Sequence, residues 1–236
     1  MIIGIGGGEI KGWSFKTKDD NQSLYQTEKI DKEIVKLSNK ENPKMLFIGT
    51  ASRENPFYFK AIKNIYENLN CVLDNLEILN KEIDIEEIEE KILSSDIIYI
   101  GGGNTKFMFD EWKKINLDKI LSEAYKQGIV MAGFSAGCYC YFDYNYELIE
   151  GLKVIHGIVC VHYDEKSEEK KNEFFENIKK TNLLGIALDN GTAIKYNEDN
   201  TYEIIKNIED AKAYQIKYID NDFEIKELEE YIKYKI

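Results

Sequence analysis

The chain has 236 residues, 43% of them hydrophobic, enough to bury a full core as one domain over residues 1–236. A net charge of −12 at pH 7 and an isoelectric point near 4.8, with Asp and Glu interleaved among the lysines, speak against nucleic acid and anionic membranes as partners. No apolar run approaches the length of a bilayer span, and Met1 to Ile10 reads as a first strand rather than a signal peptide.

In chain order, Ile2 to Gly6 is a β-rich run ending in Gly6-Gly7-Gly8. No GxGxxG frame follows, so the glycines read as a strand-end turn whose follower, Glu9, lines a cleft. After a polar stretch, Ile30, Ile34, Val35 and Leu37 give Glu28 to Leu37 helical spacing. The unit then repeats. Lys44 to Gly49 is a strand, followed by a loop with Pro56 and a helix over Phe59 to Leu69; Val72 to Leu79 precedes a helix over Ile85 to Leu93. Asp96 to Ile100 leads into the loop Gly101-Gly102-Gly103-Asn104-Thr105 and helices over Lys106 to Lys114 and Leu117 to Lys126. Strands that are apolar throughout and alternate with helices predict a parallel sheet covered on both faces.

Next, the strand Gly128-Ile129-Val130-Met131-Ala132 runs into Gly133-Phe134-Ser135-Ala136-Gly137. A serine flanked two residues either side by glycine, between a buried strand and a helix, is the nucleophile-elbow pattern. The turn exposes the hydroxyl at a helix N-terminus, beside backbone N–H groups that favour negative charge on an attacked carbonyl.

Beyond it, a strand around Gly157 to Val161 ends at His162-Tyr163-Asp164, and Glu165 to Lys179 reads as an amphipathic helix. From Gly185 onward, short β-rich runs (Ile186 to Leu188, Ala193 to Tyr196, Tyr202 to Ile205, Ala213 to Tyr218) separated by Asn, Asp and Gly turns predict antiparallel hairpins at one sheet edge.

A serine nucleophile needs a base, and the chain has only His156 and His162. His162, at the C-terminal end of a β-run, is the candidate. It follows Ser135 by 27 residues and precedes the chain end by 74, unlike the late histidine of α/β-hydrolases. The Gly101 to Thr105 loop lets a backbone N–H approach a substrate unobstructed, the other half of an oxyanion site. Cys71, Cys138, Cys140 and Cys160 show no CxxC pair and no His-containing metal spacing, so they read as reduced thiols in a cytoplasmic protein. The aromatic group Tyr139, Tyr141, Phe142, Tyr144 and Tyr146 reads as packing and loop cover.

The combination of Gly101 to Thr105, Gly133 to Gly137 and His162-Tyr163-Asp164 resembles the peptidase E family of serine dipeptidases. The resemblance implies a three-layer αβα sandwich with a mostly parallel sheet, similar to class I glutamine amidotransferases, with serine in place of their cysteine. It implies cleavage of small peptides, often after an N-terminal aspartate, and implies no cofactor; the expected partner is a small peptide substrate, and the chain is read as a monomer or homodimer. By position, Ser135 matches the nucleophile, His162 the base, and the N–H groups of Gly103 and Ala136 the oxyanion hole.

For the acid, Glu150, in the segment Asp143 to Glu150 after the elbow helix, is the first choice by offset. Asp189, in a segment resembling the acid-bearing one of the cyanophycinase branch, is the second, with Asn190 as a further occupant of that position. An asparagine can orient the histidine but stabilises imidazolium less than a carboxylate does. Asn104 and Arg53, the only arginine, are candidates for gripping the substrate, Arg53 through two parallel hydrogen bonds to a carboxylate. Two alternatives remain: a binding protein of the same fold with a decayed triad, and a hydrolase of isoaspartyl or cyanophycin-type bonds.

Overall fold

A computed structural model describes residues 1–12, 26–79 and 84–235. The polar stretch before Glu28 therefore lies largely outside the described residues. The first part of the chain alternates strand and helix: β1 (Ile2–Ile5), α1 (Glu28–Leu37), β2 (Lys44–Ile48), α2 (Pro56–Glu67), β3 (Val72–Leu76), α3 (Ile85–Leu93) and β4 (Ile97–Ile100). Two helices, α4 (Thr105–Lys114) and α5 (Leu117–Lys126), lead to β5 (Val130–Phe134) and the short α6 (Ala136–Tyr139). Then come β6 (Phe142–Asn145), β7 (Ile155–Val161), α7 (Glu168–Thr181), β8 (Gly185–Leu188), β9 (Thr192–Tyr196), β10 (Thr201–Lys206), β11 (Ala213–Ile219), β12 (Asp222–Glu227) and β13 (Tyr234–Lys235).

Eight strands form a large sheet in the order β13-β10-β9-β1-β5-β4-β2-β3. The run from β1 to β3 is parallel, and β9, β10 and β13 extend it antiparallel. Both faces are covered, which explains the unbroken apolar runs. Alternation along each strand sorts the side chains: Ile3, Ile5, Met45, Phe47, Tyr99 and Phe134 pack with Ile30 and Ile34 of α1 and Ile62 of α2. Ile2, Leu46, Ile48, Ile98, Ile100 and Met131 face the other way, in one core with Ile88 of α3, Trp112 of α4 and Leu121 of α5.

One expectation is revised. The chain after the elbow does not simply continue one sheet edge; five strands form a second sheet, β12-β11-β8-β7-β6, with β6, β7 and β8 parallel. Ile186 to Leu188 therefore belongs to the second sheet and Thr192 to Tyr196 to the first, although only three residues separate the two strands. Strand β6 takes up the start of the segment after the elbow helix, where Tyr141 and Phe142 are buried and draw the backbone in; the Tyr141 hydroxyl donates to the Ala132 carbonyl at 2.8 Å.

Candidate active site

Strands β1, β5 and β4 are neighbours, and their C-terminal ends supply Gly6–Gly8, Ser135 and Gly101–Gly103. Such carboxyl ends are where open α/β sheets hold ligands. Ser135 has φ +53° and ψ −106°, a strained conformation for a residue with a side chain, costing about 1–3 kcal/mol. Its surroundings enforce it. The Ser135 N–H donates to the Ile5 carbonyl at 3.0 Å, and the Cys138 and Tyr139 N–H groups donate to the Ser135 carbonyl. A Cβ on Gly133 would run into the Gly137 carbonyl, and one on Gly137 into the Ile100 carbonyl, so both glycines of the motif are demanded by close approach. With only four residues in α6, individual N–H groups rather than a long helix dipole form the electrostatic part of the turn.

The second sheet delivers the partners. His162 leaves β7 in the left-handed region, φ +52°, and its N–H donates to the Gly6 carbonyl at 2.9 Å, tying the end of β7 to that of β1. Its Nε2 lies 2.9 Å from Ser135 Oγ, and its Nδ1 lies 2.7 Å from Asn190 Oδ1 just beyond β8. Asp164 fixes the amide: Asn190 Nδ2 donates to Asp164 Oδ2 at 3.0 Å and the Asn190 N–H to Asp164 Oδ1 at 2.9 Å. With its nitrogen engaged by a carboxylate, the amide turns its oxygen to the imidazole. This pattern assigns the proton to Nδ1 and leaves Nε2 to accept from the serine hydroxyl. Gly7, at φ +144°, closes over the pair; a Cβ there would strike both Asn190 Oδ1 and the His162 ring.

Burial lowers the His162 pKa below its ordinary value, its hydrogen bond with Asn190 pushes it back up, and the positive charge of Lys166 lowers it again, the net direction being down. The imidazole is mostly unprotonated, as a general base must be, at pH above that lowered value. Hydrolysis that uses His162 as its base is therefore expected to keep kcat/KM as pH falls to about 6.5 and to lose it only below. A pH–rate profile with its acid limb above neutrality would contradict this.

Neither acid candidate meets the histidine. Glu150 pairs with Lys153 and lies in a separate hollow with Lys113, Lys119 and Lys126, because Gly151 packs against β6 and its own backbone bridges to Tyr144. Asp189 is near but turned away: its Oδ2 accepts the Lys212 N–H at 2.9 Å, and burial raises its pKa. The amide next to it takes the position. His156 is also elsewhere, with its exposed ring against Asp143 at 2.7 Å.

Gly103 borders the cleft at φ +143°, held against the backbone of Ala51 and Ser52. The Gly102 N–H is engaged by the buried Tyr58 hydroxyl at 3.1 Å, whereas the N–H groups of Gly103 and Ala136 have no acceptor among the described residues. Asn104 and Arg53 stand outside the lining: Asn104 Oδ1 caps α4 through the Phe107 N–H at 2.8 Å, and the Arg53 guanidinium lies 4.0 Å from the Phe107 ring centre. Glu9 does line the cleft, which has a volume of about 790 Å³. The role of Asp164 was not legible in the sequence; its only signal was its place two residues after His162. Among the described residues no group of His, Cys, Asp and Glu is arranged to hold a metal ion, and no helix is long and apolar enough to cross a membrane.

Residues 20–204 match the model of peptidase family S51. The chain is 30% identical to a protein described as an uncharacterized peptidase, YgaJ, of Bacillus subtilis, over 99% of this chain and 98% of that one. It is also 36% identical to an uncharacterized peptidase, Lmo0363, of Listeria monocytogenes, over 42% of this chain and 49% of the relative. Among solved structures, a peptidase from an acI-B1 Actinobacterium superposes with a TM-score of 0.75 at 20% identity, covering 100% of this chain and 96% of that one. A candidate peptidase E protein from Listeria monocytogenes gives 0.56 at 21%, covering 86% and 95%. At those identities the two structures carry the fold: a mixed α/β architecture with a large, mostly parallel sheet flanked by helices.

Proposed function

The chain belongs to peptidase family S51 and is a serine-type peptidase, and from that premise we propose that it hydrolyses short peptides with Ser135 as nucleophile and His162 as base. The observation that carries this reading is the 2.9 Å approach of His162 Nε2 to a strained, cleft-facing Ser135 Oγ. Nε2 takes the hydroxyl proton as Oγ attacks the peptide carbonyl carbon, and the carbonyl oxygen becomes an oxyanion that accepts from the N–H groups of Gly103 and Ala136. The imidazolium then gives that proton to the departing amine. Water, deprotonated by the same nitrogen, cleaves the acyl-serine ester and restores the hydroxyl.

Asn190 holds the imidazole by its Nδ1–H, and Asp164 supplies a carboxylate one bond further back. An asparagine at this position is thus compatible with turnover and is not in itself a sign of a decayed triad. The four buried free thiols support a reducing, cytoplasmic setting. A fluorophosphonate probe is expected to label the protein at Ser135, found by peptide mass mapping, and to leave Ser135→Ala unlabelled. Labelling of both proteins alike, or of neither, overturns the assignment.

A further inference from the structure

The walls of the cleft carry five carboxylates, Glu9, Asp164, Glu165, Asp189 and Asp210, and no lysine or arginine among the described residues. They do not form a charge run on one solvated helix. Glu9 follows β1, Asp164 and Glu165 follow β7, Asp189 follows β8, and Asp210 sits between β10 and β11, so four separate segments bring negative charge to one concavity. Nearby lysines are turned elsewhere: Lys166 over the Tyr146 ring, Lys171 over the Tyr163 ring, and Lys212 toward Glu227. A cleft of one sign focuses the field and concentrates ligands of the other sign.

The carboxylates are not equally engaged. Asp164 is occupied by Asn190 and Asp189 by the Lys212 N–H. By contrast, among the described residues the Oε2 of half-buried Glu9 is a buried atom without a hydrogen-bond partner, and Asp210 is exposed without an ion pair. A buried carboxylate oxygen without a donor is costly, and an ammonium or guanidinium group supplies both the donor and the opposing charge. An aspartate side chain in the same space would add a sixth negative charge.

Resting on the serine-peptidase reading above, we propose that this cleft selects peptides with a lysine or arginine side chain beside the scissile bond and disfavours those with aspartate. Glu9 and Asp210 are the carboxylates that receive the cation. The α-ammonium of a free peptide shares that chemistry, so the test compares side chains of equal length. The panel is Lys-Ala, norleucine-Ala, Ala-Lys, Ala-norleucine and Asp-Ala. One of the two lysine peptides is expected to exceed its norleucine counterpart about tenfold in kcat/KM, with Asp-Ala lowest. Glu9→Gln and Asp210→Asn are each expected to lower the lysine-to-norleucine ratio roughly threefold, and added salt to lower it further.

Binding of the same five peptides to Ser135→Ala by titration calorimetry reads the preference without turnover. Equal or better cleavage and binding of Asp-Ala or the norleucine peptides, no binding of either lysine peptide, or a ratio unmoved in both variants overturns the proposal. Fluorophosphonate labelling at Ser135 together with a preference for Asp-Ala defeats the charge inference alone. Failure to label or to cleave any peptide defeats the peptidase roles instead, and calorimetry then decides the charge preference.

Discussion

Ser135→Ala is expected to lower kcat for peptide hydrolysis by about 10⁴-fold or more, His162→Ala by about as much, and the double variant no further. In the proposed reaction the nucleophile and its base act as one unit: without Oγ no acyl-enzyme forms, and without Nε2 the hydroxyl keeps its proton and the amine cannot leave. What survives, with Gly103 and Ala136 as the proposed oxyanion hole, is the rate supported by their N–H groups and by substrate binding. Steady-state kinetics on the three purified variants test this, alongside melting curves to verify folding. A loss under tenfold in Ser135→Ala, or additive losses in the double variant, would assign the chemistry elsewhere.

The second large effect lies behind the histidine. Asn190→Ala is expected to lower kcat about 10²-fold, because Nδ1–H loses the acceptor that fixes tautomer and ring orientation. Asn190→Asp behaves differently. A carboxylate at position 190 raises the His162 pKa and stabilises imidazolium, but it also faces Asp164, whose oxygens now receive the Asn190 backbone N–H and side-chain amide at 2.9 and 3.0 Å. Like charges at that distance oppose ionisation of one carboxyl, so the single substitution gives little gain. Adding Asp164→Asn restores a donor. The double variant is expected to exceed Asn190→Asp about tenfold in kcat, with its acid limb moved to higher pH than in the parent. Equal rates in the two variants would mean that Asp164 does not act through position 190.

Much of the architecture was readable because its causes are local. Glu28–Leu37, Ile85–Leu93 and Leu117–Lys126 are helices over the ranges their apolar spacing predicts. The elbow was readable because backbone crowding at Gly133 and Gly137 leaves no alternative residue. Sheet membership was not readable: β8 and β9 are nearly continuous in sequence, yet Leu188 aligns with Val161 while Ala193 aligns with Ile5. The residue behind His162 was open for the same reason. Offset along the chain favoured Glu150, whereas the deciding fact is that β7 and β8 end side by side, which is long-range geometry.

That Ser135 comes from one sheet and His162 and Asn190 from the other has a consequence for the order in which the molecule becomes reactive. Strand β1, whose end carries Gly6, is flanked by β5 on one side and by the much later β9 on the other. His162 takes its bearing from the Gly6 carbonyl, and Asn190 arrives only on the way into β9. A chain folded only as far as its elbow holds a serine with no base beside it. With Ser135, His162 and Asn190 in the roles proposed above, hydrolytic competence belongs to the finished molecule alone.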